Sequence, residues 1–194
     1  MLEDSFVTED AQEKDATTLN IVSHSGTQTQ RLGIHLGKLL QGGELLLLDG
    51  HLGMGKTTFT QGLAQGLSIT ATITSPTFTL LKEYPGQVRQ VRNELGNTVT
   101  YEKGPALYHF DLYRLDDPEE IFDLGFEDYF YDTTGVCVVE WADKADGLWV
   151  PDKLRIHISI RNETERTLSF TATGTHYSEI LQQFQKNAYV ITRA

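Results

Sequence analysis

The residues best suited to chemistry in this sequence form a glycine-rich run, GHLGMGKT, at positions 50–57. The run matches the pattern G-x-x-x-x-G-K-[S/T] at every fixed position. Glycines let several backbone N–H groups face one anion at close range. Lys56 can then reach the β- and γ-phosphates as a compact cation, and Thr57 can place its hydroxyl on Mg²⁺. The run therefore predicts a loop that binds a nucleoside triphosphate.

The flanking segments give this loop the context that it requires. The segment ELLLLD at 44–49 is an apolar run typical of a strand covered on both faces in a parallel sheet. Apolar residues recur at helical spacing over 56–67, so the free N–H groups and positive dipole end of a helix face the same anion. Thr58 is expected to support the α-phosphate end. The predicted nucleotide contacts in the run are Gly50, Leu52, Gly53, Met54, Gly55, Lys56, Thr57 and Thr58.

Two acidic residues close apolar runs elsewhere in the chain, Asp111 in LYHFD and Glu140 in VCVVE. Sheets of this class bind ligands at the carboxyl ends of their strands, and a buried acid is costly unless it meets a cation or hydrogen-bond donors. We expect Glu140 to contact Mg²⁺, directly or through water, and to polarise the attacking water, and Asp111 to hold the hydration shell of the metal. The sequence does not separate these two roles. The alternative for Glu140 is an ordinary exposed residue just past a strand.

Three residues are predicted to be catalytic, namely Lys56, Asp111 and Glu140, and the predicted metal-linked residues are Thr57 and Glu140. Arg114 has two interpretations: it stabilises charge that develops on the γ-phosphate, or it pairs with Asp116 or Asp117. Cys137 is the only cysteine of the chain and is expected to be a small buried hydrophobe.

The charge of the chain is strongly negative. It has 16 Lys and Arg against 27 Asp and Glu, a formal net charge of −11. Such a surface repels phosphate backbones, so direct high-affinity nucleic-acid binding is not expected. No apolar stretch approaches the roughly 20 residues that span a bilayer, and the N-terminal segment has no apolar core of signal-peptide length. Together with the single cysteine, these features predict a cytoplasmic protein without membrane contact.

The pattern of elements predicts one domain over 19–194 that follows a disordered acidic tail at 1–18. Strand and helix patterns alternate, which indicates an α/β fold: a three-layer P-loop NTPase domain with a mainly parallel central sheet and antiparallel strands added at an edge. Ser25 is a predicted helix N-cap, 116–120 carries the marks of a helix start, and a last helix is expected at about 177–187. The polar segment 85–105 is predicted to leave the core as a hairpin with a turn at 96–97.

Four motifs in this order resemble the TsaE family: GHLGMGKTT, SPTFTL, YHFDLYRL with PEE and LGFEDYF, and VVEWADK. Members of that family are small bacterial P-loop ATPases needed for threonylcarbamoyladenosine in tRNA. The resemblance runs from about residue 19 to 151–152 and, more weakly, through the terminal strands. It implies that the protein binds ATP with Mg²⁺ and hydrolyses it slowly when alone. It also implies action on a TsaD-like and a TsaB-like protein, the pair that makes the modification.

The resemblance also implies roles for residues outside the glycine-rich run. The segment 75–77, Ser-Pro-Thr, matches a switch-like loop of the family, in which the hydroxyl of Thr77 senses γ-phosphate and Mg²⁺. Ser25 would lie near the adenine, and Trp141 either lines the site or is a core aromatic residue. The chain departs from the family at His51, where an acid is usual, and at Met54, where a small residue is usual. His51 makes the loop less negative than an acid would, so nucleotide affinity is expected to differ, and both departures leave the fixed positions of the loop intact.

Two other functions remain open from the sequence. A small-molecule or nucleoside kinase would carry an arginine-rich lid, and the only candidate lid, 85–105, offers Arg89 and Arg92. A nucleotide-gated binding module would use its ATP and ADP states as two shapes and need little catalysis. Phosphate release without an acceptor distinguishes the ATPase from the kinase.

Overall fold

The computed structural model describes residues 16–92 and 99–191. The strands are β1 (Thr17–Ser23), β2 (Leu45–Asp49), β3 (Leu81–Tyr84), β4 (Val88–Arg92), β5 (Val99–Lys103), β6 (Ala106–Asp111), β7 (Gly135–Glu140), β8 (Lys153–Ile160) and β9 (Arg166–Thr173). The helices are α1 (Gly26–Gly37), α2 (Lys56–Gly66), α3 (Glu120–Asp123), α4 (Glu127–Phe130) and α5 (Thr175–Ile191), with a 3₁₀-helix at Ala142–Ala145.

Seven strands form one sheet in the order β1-β9-β8-β2-β7-β6-β3. The central strands β8, β2, β7 and β6 pair in parallel. Antiparallel β9 and β1 extend the sheet on one side, and antiparallel β3 closes the other. The predicted α/β fold is therefore confirmed, and antiparallel strands stand at both edges of the parallel centre.

Helices cover both faces of the sheet, which explains the continuous leucine run of β2. Leu46 and Leu48 belong to the core beneath α1, α2 and α5, whereas Leu45 and Leu47 belong to the core beneath α3 and the 3₁₀-helix. All four side chains are buried. Because successive residues of a strand point to opposite faces, a strand between two helical layers must be apolar throughout.

Helices α1 and α2 pack with their backbones in close approach. Gly33 and Gly37 of α1 face α2, and Gly62 and Gly66 of α2 face α1. A Cβ at any of these four positions would stand 2.0–2.4 Å from a carbonyl oxygen of the other helix. Only glycine permits this distance. The glycine-rich run leads directly into α2, so this contact fixes the run relative to α1.

The predicted helix ends are partly confirmed. Ser25 caps α1, because its Oγ accepts a hydrogen bond from the N–H of Gln28. The helix start at 116–120 is also present, since the Asp117 carboxylate accepts from the N–H of Glu119. The helix that follows lasts only one turn. Gly125, with φ of +67°, separates α3 from α4.

The polar segment 85–105 contains the predicted hairpin, in which β4 and β5 pair antiparallel. The connection 93–98, with the predicted turn at 96–97, lies outside the described residues, as do residues 1–15 of the predicted acidic tail. The first strand begins at residue 17, slightly before the expected start at 19. None of the helices within the described ranges is long and apolar enough to cross a membrane.

Candidate functional site

A cleft of about 370 Å³ opens where β2, β6 and β7 end. The residues that line it are Leu52, Gly53, Met54, Gly55, Lys56, Thr57, Thr58, Ser75, Thr77, Asp111, Tyr113, Glu140 and Trp141. The cleft thus brings together four segments that lie far apart in the sequence. Of the predicted catalytic, nucleotide-binding and metal-linked residues, Gly50 and Ser25 are not among its lining residues, and the candidate Arg114 is not among them either.

The glycines of the loop are required for different reasons, packing in one case and backbone conformation in the others. Gly50 has φ of +136°, and a Cβ there would stand 2.3 Å from the carbonyl oxygen of Ile158, so packing against β8 requires glycine. Gly53 and Gly55 have φ of +79° and +102°. No heavy atom lies within 4 Å of a Cβ placed at Gly53, so conformation alone favours glycine there. Left-handed backbone of this kind can turn successive N–H groups toward one anion.

Lys56 is buried at the floor of the loop. Its Nζ donates to the carbonyl oxygens of Gly50 and His51, at 2.5 and 3.2 Å. The same nitrogen lies 3.8 Å from the centroid of the Trp141 ring. Burial lowers the pKa of the Lys56 ammonium, and the carboxylate of Glu140 opposes that change. The structure therefore keeps a cation beneath the glycine-rich run.

Glu140 is buried at the end of β7, with 2% of its surface exposed, so it is not an exposed residue past the strand. Its Oε2 accepts from the Thr57 hydroxyl at 3.2 Å. Its Oε1 lies 2.9 Å from Nε2 of His109. One carboxylate oxygen is thus directed toward the loop, and the other is directed into the protein.

Asp111 holds the segment that contains Ser75 and Thr77. Its Oδ2 accepts from both hydroxyls at 2.6 Å, and its Oδ1 accepts from the N–H of Tyr113 at 3.0 Å. The two hydroxyls are themselves 2.6 Å apart. The segment 75–77, which was predicted to be switch-like, is therefore hydrogen-bonded to the carboxylate at the end of β6.

The oxygen donors of the cleft suit Mg²⁺. Thr57, Glu140 and Asp111 offer a hydroxyl and carboxylates, and a hard cation prefers such ligands. Within 16–92 and 99–191, no group of three or more His, Cys, Asp or Glu residues could hold a metal ion by itself.

A second recess of about 140 Å³ lies on the other side of the glycine-rich run. The residues that line it are Gly26, Thr29, Gly53, Met54, Gly55, Thr58, Thr164 and Arg166. Ser25, predicted near the adenine, caps α1 next to this recess, and its neighbour Gly26 is the residue that lines the wall. Thr164 and Arg166 were not predicted. Thr164 lies in the connection of β8 with β9, Arg166 is the first residue of β9, and neither belongs to a motif.

The structure shows the surroundings of Arg114 and Trp141, for each of which the sequence allowed two interpretations. The Arg114 guanidinium lies 4.3 Å from the Phe78 ring centroid, and in the described part of the chain it forms no ion pair with Asp116 or Asp117. Trp141 lines the cleft and also packs against the core beneath α3, so both of its interpretations apply. Its φ of +61° places an aromatic residue in left-handed backbone beside the site.

Comparison with known proteins gives a consistent result. The sequence model of the family described as threonylcarbamoyl adenosine biosynthesis protein TsaE matches residues 23–168. The tRNA threonylcarbamoyladenosine biosynthesis protein TsaE of Bacillus subtilis is 39% identical over 145 residues, 75% of this chain and 80% of its own. The protein of that name from Nostoc sp. is 43% identical over 155 residues, 78% of each chain.

A solved structure shares the fold. The crystal structure of Bacillus subtilis YdiB matches with a TM-score of 0.67 at 28% sequence identity, and the match covers 89% of this chain and 97% of that one. The matched region of the family includes the glycine-rich run, the segment 75–77 and both acidic strand ends. The chain belongs to the TsaE family.

Proposed function

We propose that this protein is a Mg²⁺-dependent ATPase that acts in the cytoplasm and is required for threonylcarbamoyladenosine modification of tRNA. The observation that carries the proposal is the single cleft in which the glycine-rich run, Thr57, Asp111 and Glu140 meet. Family membership supplies the pathway, because the relatives are named for threonylcarbamoyladenosine biosynthesis.

The polyphosphate of ATP would lie in the cleft. N–H groups of 53–58 and the ammonium of Lys56 would bind its oxygens, with the N-terminus of α2 adding its positive dipole end. Lys56 would leave the carbonyl oxygens that it now contacts and turn to the phosphates. The recess behind the run, beside Thr164 and Arg166, is close enough to take the sugar and base.

Thr57 and Glu140 would hold Mg²⁺ on the phosphates, the metal supplying charge neutralisation for phosphoryl transfer. Glu140 would also orient the attacking water, because its Oε2 already faces the loop. Asp111 would keep Thr77 next to the cleft, so that loss of the γ-phosphate changes the contacts of the segment 75–77.

The negative charge of the chain supports a model in which partner proteins, and not this protein, bind the tRNA. A formal net charge of −11 opposes direct binding of tRNA, so a TsaD-like and a TsaB-like protein would bind the RNA and carry out the modification. The ATPase would then act on that pair.

The position of the hairpin argues against a kinase. Tyr84 pairs with Leu107 near the start of β6, and the hairpin leaves from that end of the sheet. Asp111 and the cleft lie at the other end of β6. A lid based so far from the phosphates has no direct path over them.

The deciding experiment uses the Glu140→Gln protein in a reconstituted reaction with the TsaD-like and TsaB-like proteins, tRNA and a threonylcarbamoyl donor. We expect this variant to bind ATP and both partners without sustaining modification. Glu83→Gln is the control, because Glu83 is an exposed carboxylate outside the cleft. Full modification by Glu140→Gln would instead show that nucleotide gating is sufficient and that turnover is incidental.

A further inference from the structure

His109 lies in the middle of β6, between the two core layers, with no part of its surface exposed. Its Nε2 is 2.9 Å from Oε1 of Glu140 on the neighbouring strand. His109 belongs to the motif YHFDLYRL, yet its residue type alone indicates no role, and the proposed ATPase mechanism assigns it none.

The partners of the imidazole ring fix its tautomer. A carboxylate oxygen only accepts hydrogen bonds, so Nε2 must carry the proton that points at Glu140. Nδ1 is buried and has no hydrogen-bond partner within the described residues. A proton at Nδ1 would be a buried donor without an acceptor, which is costly. The ring therefore presents one N–H group, and that group is directed at Glu140.

This N–H group determines which oxygen of Glu140 faces the loop. Oε1 is occupied by His109, so Oε2 is left for the hydroxyl of Thr57. Without the imidazole donor, the buried carboxylate would lose a partner and could rotate about its last side-chain bond. We propose, on the basis of the proposed ATPase function, that His109 is a positioning residue that holds Oε2 of Glu140 in the orientation needed for Mg²⁺·nucleotide.

Residues that orient metal-binding groups through a hydrogen bond have measurable effects. Their removal commonly costs 10- to 100-fold in metal affinity or activity. We expect His109→Phe to raise the Mg²⁺ concentration required for binding of a non-hydrolysable ATP analogue by about 10- to 100-fold. Binding of the analogue without Mg²⁺ should not change, because the hydrogen bond of the His109 ring goes to Glu140 and not to the phosphate-binding loop.

Two further variants separate positioning from simple destabilisation. His109→Gln replaces the imidazole with a side-chain amide that can donate in a similar direction, and it should recover most of the Mg²⁺ dependence. Leu107→Ala is the matched control. Leu107 is fully buried on the same strand, two residues earlier and on the same face. Its truncation should lower the melting temperature and leave the Mg²⁺ requirement unchanged.

The hydrogen bond can also be tested without nucleotide. In protein labelled with ¹⁵N-histidine, long-range ¹H–¹⁵N spectra report which ring nitrogen carries the proton, and the His109→Gln protein identifies the signal. We expect the Nε2–H form with its proton protected from exchange, and Glu140→Gln should shift that signal. An Nδ1–H form would overturn the proposal.

The outcomes distinguish this inference from the proposed function. An unchanged Mg²⁺ requirement in His109→Phe, with a Mg²⁺-dependent wild type, overturns the role of His109 and leaves the ATPase intact. A defect in Leu107→Ala as large as that in His109→Phe also overturns it. A wild-type protein whose nucleotide binding is independent of Mg²⁺ overturns both.

Discussion

Asp111 and Glu140 are direct Cα partners at the ends of β6 and β7, yet their carboxylates have separate sets of hydrogen-bond partners. Asp111 accepts from the hydroxyls of Ser75 and Thr77, whereas Glu140 contacts Thr57. The sequence left the roles of the two acids open. Their partners favour Glu140 as the metal-linked group and Asp111 as the group that holds the segment 75–77.

We expect Asp111→Asn to slow turnover by about 10- to 100-fold and to change affinity for the ATP analogue much less. An amide has one acceptor oxygen, so it cannot serve the two hydroxyls on one side and the N–H of Tyr113 on the other. The measurement is phosphate release together with hydrogen exchange over 74–80. Asp132→Asn is the control, because Asp132 binds Tyr108 away from the cleft. Unaltered turnover in Asp111→Asn would contradict this role.

Lys56→Ala should reduce ATP hydrolysis by at least roughly 100-fold, because a cation aimed at the transferring phosphate is lost. Lys153→Ala is a matched control, since Lys153 also donates to two backbone carbonyl oxygens and lies on β8 outside the cleft. Steady-state phosphate release and circular dichroism check the pair. Normal hydrolysis by a folded Lys56→Ala protein would refute the assignment of the loop.

Gly62→Ala should destabilise the protein by about 1–3 kcal/mol, because the new methyl group would stand against the backbone of α1. The ideal Cβ lies 2.0 Å from the carbonyl oxygen of Gln30. Gly26→Ala is the control, since a Cβ there meets no heavy atom within 4 Å. Denaturant titration measures both changes. Equal stability of the two variants would show that the helices can separate without cost.

The free energy of unfolding should fall between pH 10.0 and about 12 through Tyr177. Burial raises the pKa of its hydroxyl from 10.0 to about 12. In that interval the unfolded chain has released the proton while the folded chain still binds it, so rising pH favours unfolding. Tyr177→Phe should lose this component. It should also be less stable at neutral pH, because the buried N–H of Leu45 loses its acceptor. Parallel pH profiles in wild type and variant would contradict this.

Features that depend on one short segment of the chain could be predicted from the sequence alone. The glycine-rich run, its strand and its helix follow from local spacing, and the acids at strand ends follow from the rule that parallel strands end at one edge. Ser25 as a cap follows from the same kind of local rule.

Contacts between distant segments were not predictable in the same way. His109 meets Glu140 only because β6 and β7 are neighbours in register, and Thr164 and Arg166 reach the loop only because β9 returns beside β8. Arg114 lies on the exposed ring of Phe78, although the two residues belong to separate motifs. Such pairs depend on sheet order, which a single sequence does not specify.

The decisive test of nucleotide binding in the cleft is a crystal structure of the protein grown with a non-hydrolysable ATP analogue and Mg²⁺. We expect phosphate density enclosed by residues 50–57, with the Lys56 ammonium turned away from the carbonyl oxygens of its own loop and toward the phosphates. We also expect a metal on the Thr57 hydroxyl, with Glu140 in contact directly or through one water. Analogue density elsewhere on the protein, with the loop and Lys56 unchanged, would contradict nucleotide binding in the cleft.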